Sequence, residues 1–135
     1  MKYLLDTNAW VRSALRKDSM PKAVLEMLSQ PEETFGLSAI SIWEVAKKVQ
    51  VGKLKLPLAT KAWLAEVLTD NLVVLPLSEE ILVEATELRE FPVRDPADEI
   101  IVATARHYDL TLVTSDKKLK GYKHASIHYY KPLIT

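Results

Sequence analysis

The sequence contains no cysteine and only three glycines, Gly36, Gly52 and Gly121, among its 135 residues. The absence of cysteine excludes disulfide bonds, thiolate metal sites and a cysteine nucleophile. Three scattered glycines are too few for the glycine-rich loops that bind dinucleotides or phosphates. Thiol enzymes and nucleotide-loop enzymes are therefore excluded as classes.

Long apolar runs and an excess of one charge are also missing. No stretch approaches the roughly 18–20 apolar residues that a membrane span requires. The first apolar run stops at Asp6, which excludes it as the core of a signal peptide. Lys plus Arg is 18 and Asp plus Glu is 18, so a nucleic-acid partner would have to bind a local basic patch. We therefore expect a cytoplasmic protein without a membrane partner.

The residues that are present predict one α/β domain covering positions 1–135. Apolar residues make up 48% and charged residues 27% of the chain, the balance of a globular domain. Short apolar runs without polar alternation predict strands at 2–5, 34–37, 72–75, 110–113 and 126–129. Helical patterns lie between them at 9–16, 21–28, from Ser38 or Ser41 to about 51, 58–68, 79–89 and 96–108. This alternation predicts a three-layer α/β/α fold with a mainly parallel central sheet covered on both faces.

Two of the predicted strands end in an acidic residue. Asp6 follows the first strand, and Asp116 follows Thr114 and Ser115 at the end of the fourth. In parallel α/β folds, ligands gather at the carboxyl ends of the strands where the strand order reverses. Each acid is also a good cap for the helix that follows. Because two acids occupy equivalent places, the pattern favours a functional site.

The helix before the fourth strand carries a third candidate acid. Asp95 followed by Pro96 predicts a capped helix start, which leaves Asp98 and Glu99 in the first turn. Asp98 borders the apolar stripe, whereas Glu99 shares a side with Ala103 and is expected to face water. The stripe consists of Ile101, Val102 and Ala105. A carboxylate against a packed face needs a cation or a polar cleft, so Asp98 is the candidate.

A fourth candidate acid, Glu44, lies on the third predicted helix. The spacing of Ser41 and Glu44 fits a capping box, and Lys47 and Lys48 follow Glu44 in ion-pair register. Both structural roles compete with a functional one. The apolar stripe of the helix lies on the other face, so Glu44 is accessible and can line a cleft.

Five stretches of the chain together resemble the PIN-domain superfamily and, within it, the VapC-type toxin ribonucleases of toxin–antitoxin pairs. Their order and spacing fit over nearly the whole chain. The stretches are Leu-Leu-Asp-Thr-Asn from Leu4, Ser-Ile-Trp-Glu-Val-Ala-Lys-Lys from Ser41, Gly-Lys-Leu-Lys-Leu-Pro from Gly52, Arg-Asp-Pro-Ala-Asp from Arg94 and Leu-Val-Thr-Ser-Asp from Leu112.

This resemblance implies a PIN-like fold and a metal-dependent endoribonuclease that cleaves RNA, is inhibited by a cognate antitoxin and forms a homodimer. It also implies a Mg²⁺ or Mn²⁺ site. The implied metal ligands are Asp6, Glu44, Asp98 and Asp116, with Asn8, Thr114 and Ser115 orienting carboxylates or water. The chain departs from the family pattern at Glu99, where an Arg is usual.

The chemistry of these residue types suits such a site. Hard divalent cations take oxygen ligands, and a bound metal lowers the pKa of a water while neutralising phosphate charge. The metal also reverses the local sign of four clustered acids, which would otherwise repel RNA. Candidate cations for RNA contact are Arg12, Arg16, Lys47, Lys48, Lys53 and Lys55.

Alternative interpretations remain at this point. A PIN-like domain that binds without cleaving stays open. A response-regulator domain would need an acid after the middle strand, where Pro76 stands, and a dehalogenase-type phosphatase would need an Asp in place of Asn8. His124 and His128 are a weak metal pair, because they lie on a predicted strand.

The three tryptophans, Trp10, Trp43 and Trp63, are expected in the core or in an interface rather than as platforms for RNA bases. Trp10 follows closely after Asp6 and is expected to contribute to a groove for a partner.

Overall fold

A five-stranded, fully parallel sheet forms the centre of the protein. The computed structural model describes residues 1–133, so the last two positions of the expected domain lie outside the described residues. The strand order is β3-β2-β1-β4-β5. The strands are β1 Tyr3–Leu5, β2 Phe35–Ser38, β3 Leu72–Leu75, β4 Thr111–Thr114 and β5 Ile127–Tyr129. The predicted α/β fold with a parallel sheet is confirmed.

Six α-helices connect these strands within the described range, together with short 3₁₀ turns at Lys17–Ser19 and Lys117–Leu119. None of the helices between Met1 and Leu133 has both the length and the apolar character to cross a bilayer. The helices are α1 Thr7–Leu15, α2 Lys22–Leu28, α3 Ala39–Gln50, α4 Thr60–Val67, α5 Glu79–Ala85 and α6 Pro96–His107.

Helix α5 ends four residues before its predicted end at position 89. The hydroxyl of Thr86 donates to the Val83 carbonyl at 2.7 Å, and the Thr86 N–H donates to the same oxygen. Glu90 then adopts a left-handed backbone with φ of 50°. The chain therefore turns away before the apolar spacing ends, because a side chain competes for the helical hydrogen bonds.

Both faces of the sheet are buried, as the absence of polar alternation predicts. Leu5 and Val113 point into one core layer with Trp10, while Leu4 and Leu112 point into the other. Trp10 and Trp63 are buried with ring centroids 5.3 Å apart. Successive residues of one strand thus serve opposite layers.

The topological switch point lies between β1 and β4. From β1 the chain winds outward through β2 and β3, then crosses to β4 and β5 on the other side. Leu5 is in register with Val113, and the N–H of Asp6 donates to the Val113 carbonyl at 3.1 Å. The crevice expected at such a point therefore opens where Asp6 follows β1.

Helix α6 is buried on two faces rather than one. Ala103 is fully buried against Ile81 and Ala85 of α5, although its position beside Glu99 predicted a face toward water. That prediction is wrong for Ala103, and Glu99 itself is half-buried. The reason is tertiary, since α5 packs along the side of α6 that carries Ala103.

We expect Ala103→Leu to destabilise the protein by about 1–3 kcal/mol, because a larger side chain would push α5 away from α6. Urea unfolding measures this change. Ala62→Leu on the exposed side of α4 is the matched control and should stay within about 0.5 kcal/mol of the wild type. Equal stability of the two variants would contradict the close packing of α5 on α6.

Candidate metal centre

Asp6 lies at the carboxyl end of β1 and also begins α1. Its Oδ1 accepts a hydrogen bond from the Ala9 N–H at 2.7 Å, which caps the helix. Burial raises the pKa of Asp6 to about 6. The Thr114 hydroxyl, the Ala9 N–H and the Arg12 charge act in the opposite direction, and Asp116 adds to the rise. The carboxyl is thus held in a polar cleft close to β4.

Asp116 mirrors this arrangement at the end of β4. Its Oδ1 accepts from the Lys118 N–H at 2.9 Å and caps the following 3₁₀ turn. The hydroxyl oxygen of buried Thr114 accepts from the Asp116 N–H at 3.0 Å. Asp6 and Asp116 therefore act as caps, as the competing interpretation predicts. Each cap bond uses Oδ1, so each carboxylate retains a second oxygen for another partner.

Glu44 reaches the same edge of the sheet from α3. The helix begins at Ala39 with Ser38 as its cap, whose hydroxyl accepts from the Ile40 N–H at 3.3 Å. A capping box that starts at Ser41 is therefore wrong, because Ser41 already lies within the first turn of the helix and is buried. The Thr7 hydroxyl donates to the Glu44 carboxylate and lies 2.9 Å from Ser41 Oγ, so α1 and α3 are linked at the site.

Asp98 is the acid whose pKa is affected by the charges of all the other candidate acids. Asp95 caps α6 through the Ala97 N–H at 2.9 Å, which leaves the Asp98 carboxyl free of a capping role. The pKa of Asp98 is raised to about 7, first by burial and then by the negative charges of neighbouring acids. These neighbours are Asp95, Glu44, Asp116 and Asp6. The other three candidate acids thus lie within electrostatic range of Asp98.

Two residues that the sequence analysis did not assign to the metal site also belong to its hydrogen-bond network. Arg12, predicted only as an RNA contact, donates to Ser115 Oγ at 2.5 Å and to the Tyr130 hydroxyl at 3.4 Å. Tyr130 is buried, and burial raises its pKa. Because Tyr130 directly follows β5, attention to every strand end would have found it. Asn8 is exposed.

The donor set fits a hard divalent cation that keeps part of its water. Within residues 1–133, no three Asp, Glu or His side chains lie close enough to hold one ion jointly. Mg²⁺ needs no such cage, since one or two carboxylates and several waters satisfy it. Burial and then the repulsion of neighbouring acids raise the pKa of Asp98, and a cation would relieve that repulsion. His124 instead lies 3.6 Å from Glu90, so a histidine metal pair gains no support.

An α/β domain with carboxylates at the switch point of a parallel sheet is the class that fold and site define. The sequence matches the PIN domain family over residues 3–125. The chain therefore belongs to the PIN domain family, which confirms the resemblance seen in its motifs.

The chain is also similar to individual proteins and solved structures. Ribonuclease VapC22 of Mycobacterium tuberculosis is 25% identical over 121 residues, covering 90% of this chain and 92% of the relative. The crystal structure of DNA-bound VapBC from Salmonella typhimurium matches with a TM-score of 0.72 and 20% identity, over 96% of this chain and 98% of that one. VapBC2 from Rickettsia felis, bound to a promoter DNA fragment, gives a TM-score of 0.70 and 24% identity, over the same shares. These structures establish the fold.

We expect the metal-free protein to lose stability as the pH rises from about 4 to 7. The pKa values of Asp6 and Asp98 lie above the ordinary value of 3.8, so the folded state holds protons that the unfolded state has already released. Stability must therefore be greatest at the acidic end of this window.

Thermal melts in EDTA at pH 5 and pH 7.5 measure this effect. Asp98→Asn should flatten the decrease, because the amide cannot ionise, whereas Asp70→Asn at an exposed position should keep the wild-type slope. A slope unchanged by Asp98→Asn would show that Asp98 does not carry the repulsion.

Proposed function

We propose that this protein is a metal-dependent endoribonuclease of the VapC type, the toxin of a toxin–antitoxin pair, which hydrolyses RNA phosphodiester bonds. The observation that carries the proposal is the convergence of Asp6, Glu44 and Asp116 on half-buried Asp98, close enough for their charges to add to the effect of burial on its pKa. Carboxylates gathered at a switch point suit metal-assisted hydrolysis, and membership of the PIN domain family supports the same chemistry.

We propose four acids as the metal-binding residues, one or two of which bind the ion directly while the others hold its waters. The proposed ion is Mg²⁺ or Mn²⁺. When bound, the ion supplies positive charge for the scissile phosphate and lowers the pKa of a water. The chain itself positions the ligands. Thr7 holds Glu44 by a hydrogen bond, and Thr114 fixes the backbone of Asp116 at 3.0 Å. The four acids proposed to bind the ion, directly or through its waters, are Asp6, Glu44, Asp98 and Asp116.

Polar neighbours complete the proposed site. Arg12 donates a hydrogen bond to Ser115, which keeps its guanidinium beside the carboxylates, where it can bind a phosphate oxygen. We assign Ser115 and Thr114 to the orientation of Arg12 and of the acids. Exposed Asn8 lies two residues beyond Asp6 and is proposed to orient water at the open side.

We expect Asp98→Asn to abolish RNA cleavage in Mg²⁺ or Mn²⁺, because the amide removes a charge that the ion requires. Glu99→Gln changes the neighbouring residue in the same way and should retain most of the activity, since Glu99 is not among the acids that raise the pKa of Asp98. Cleavage of a single-stranded RNA by antitoxin-free protein, with and without EDTA, measures both variants.

Thermal melts test without a substrate whether the acids form a metal site rather than serve only as helix caps. Millimolar Mg²⁺ should raise the melting temperature of the wild type, because a ligand of the folded state alone stabilises it by mass action. The rise should be far smaller for Asp98→Asn. Cleavage that survives EDTA, or equal loss of activity in Asp98→Asn and Glu99→Gln, would contradict the assigned site.

An apolar cavity of about 580 Å³ is the proposed docking site for the antitoxin. It lies between α1, α2 and the end of α4, with Trp10 and Leu25 in its wall and Lys17 and Lys22 among its lining residues. The Trp10 Nε1–H is buried without a hydrogen-bond partner in the described part of the chain, so an oxygen offered by a partner would be stabilising there. The sequence prediction of a partner groove at Trp10 points to the same place.

We further propose that the chain acts in the cytoplasm, as one domain and as a homodimer. The domain proposal rests on the single sheet that runs through residues 1–133. The homodimer and the location rest on the family resemblance of the sequence motifs.

We expect Ala14→Phe to block antitoxin binding, because Ala14 lines the cavity and the larger ring would fill it. RNA cleavage by the free variant should persist, which shows that the fold is intact. Ala62→Phe on exposed α4 is the control and should bind antitoxin normally. Co-purification of the two proteins measures the outcome, and normal binding by Ala14→Phe would place the antitoxin elsewhere.

A further inference from the structure

Helix α3 presents an exposed tryptophan directly beside the acidic site. The side chain of Trp43 is 57% exposed, whereas Trp10 and Trp63 are each 2% exposed. Trp43 is therefore not in the core, and of the two places expected from the sequence, core or interface, only an interface stays open. A single exposed apolar residue is common on protein surfaces, but Trp43 directly precedes the candidate ligand Glu44 on α3.

Helical geometry places Trp43 on a continuous exposed strip that starts at Glu44. With about 100° per residue, the order around the helix is Glu44, Lys47, Trp43 and Gln50. Lys47 and Gln50 are exposed, and the opposite side of α3 is buried at Val45. A chain that leaves the site past Glu44 would therefore meet a cation first and an aromatic ring second.

The cation on this strip is not neutralised by an acid. Lys47 Nζ donates to Gln50 Oε1 at 2.7 Å, and no carboxylate among residues 1–133 lies within ion-pair distance of it. The ammonium therefore keeps its charge for a ligand. A free cation next to an exposed ring is the combination that binds single-stranded nucleic acid, through phosphate contact and base stacking.

We propose that Trp43 stacks on an unpaired base of the RNA bound at the acidic site, while Lys47 contacts a neighbouring phosphate. The inference deepens the proposed ribonuclease function and rests on it. It also gives the substrate a class, since a base whose faces are already stacked inside a duplex cannot lie on the indole. Stacking on an aromatic ring tolerates every base, so Trp43 selects single-stranded RNA without selecting its sequence.

Intrinsic fluorescence tests the contact directly, because only one tryptophan is exposed. In an Asp98→Asn background with Mg²⁺, where cleavage is blocked, a 12-residue single-stranded RNA should quench the emission of Trp43. The same RNA annealed to its complement should quench it far less. Trp43→Ala should weaken binding of the single strand by about 10-fold or more, and Trp43→Phe should retain most of the affinity.

Kinetics in the otherwise wild-type protein provide a second readout. Trp43→Ala should raise KM by a similar factor and leave kcat nearly unchanged, because stacking contributes to binding rather than to the chemical step. Val83→Ala is the matched control, since Val83 is 53% exposed on α5, and it should change neither constant.

The alternative occupant of this face is a second copy of the chain. In that case iodide would fail to quench Trp43 in the wild type, and Trp43→Ala would lower the mass in sedimentation without affecting RNA affinity. Either result overturns the inference. If the wild type neither binds nor cleaves RNA, the proposed function fails as well. If it cleaves RNA and Trp43→Ala behaves like Val83→Ala, only the inference fails.

Discussion

The repulsion among four carboxylates at one edge of the sheet is the constraint on which the site depends. Asp98 shows it most clearly, since burial and the nearby acids together raise its pKa to about 7. Like charges in a partly buried cleft favour the protonated form. Folding must therefore hold together groups that would separate if they were free, and the parallel sheet does so because its strands end side by side.

Local bonds at the strand ends make this arrangement possible. Asp6 is fixed from both sides, by its own N–H bond to β4 and by the helix N–H that its carboxylate caps. Thr7 ties Glu44 to α1, and Arg12 adds a positive charge that lowers the pKa of Asp6. Two of these bonds join elements that are distant in the chain, since Asp6 bonds to Val113 of β4 and Thr7 bonds to Glu44 of α3. The scaffold thus offsets part of the repulsion before any cation is involved.

Patterns that repeat along the chain predicted the fold well. Features that depend on the packing of another element could not be predicted from them. The strands were found because both of their faces are apolar, and the helix spacing at Asp98 correctly placed Ile101 and Val102 in the core. Ala103 was misplaced because α5 packs there, and no local signal announces a second buried face. Tyr130 was missed although it directly follows β5, because only the strand ends that carry an acid were considered. The metal ligands themselves stay a prediction.

Capping and metal binding, which compete as explanations of a sequence, are compatible in the folded protein. The caps at Asp6 and Asp116 each use Oδ1, which leaves the second oxygen of each carboxylate available to another partner. Loss of either acid would then remove a helix cap, which destabilises by about 0.5–2 kcal/mol, and would also relieve repulsion, which stabilises. The two effects oppose each other in the metal-free protein. Once a cation is bound, the loss of the acid instead removes both a cap and an attraction to the cation, and both losses destabilise. A carboxylate at a strand end is therefore identified as a ligand by how its contribution to stability changes with metal, and not by whether it caps a helix.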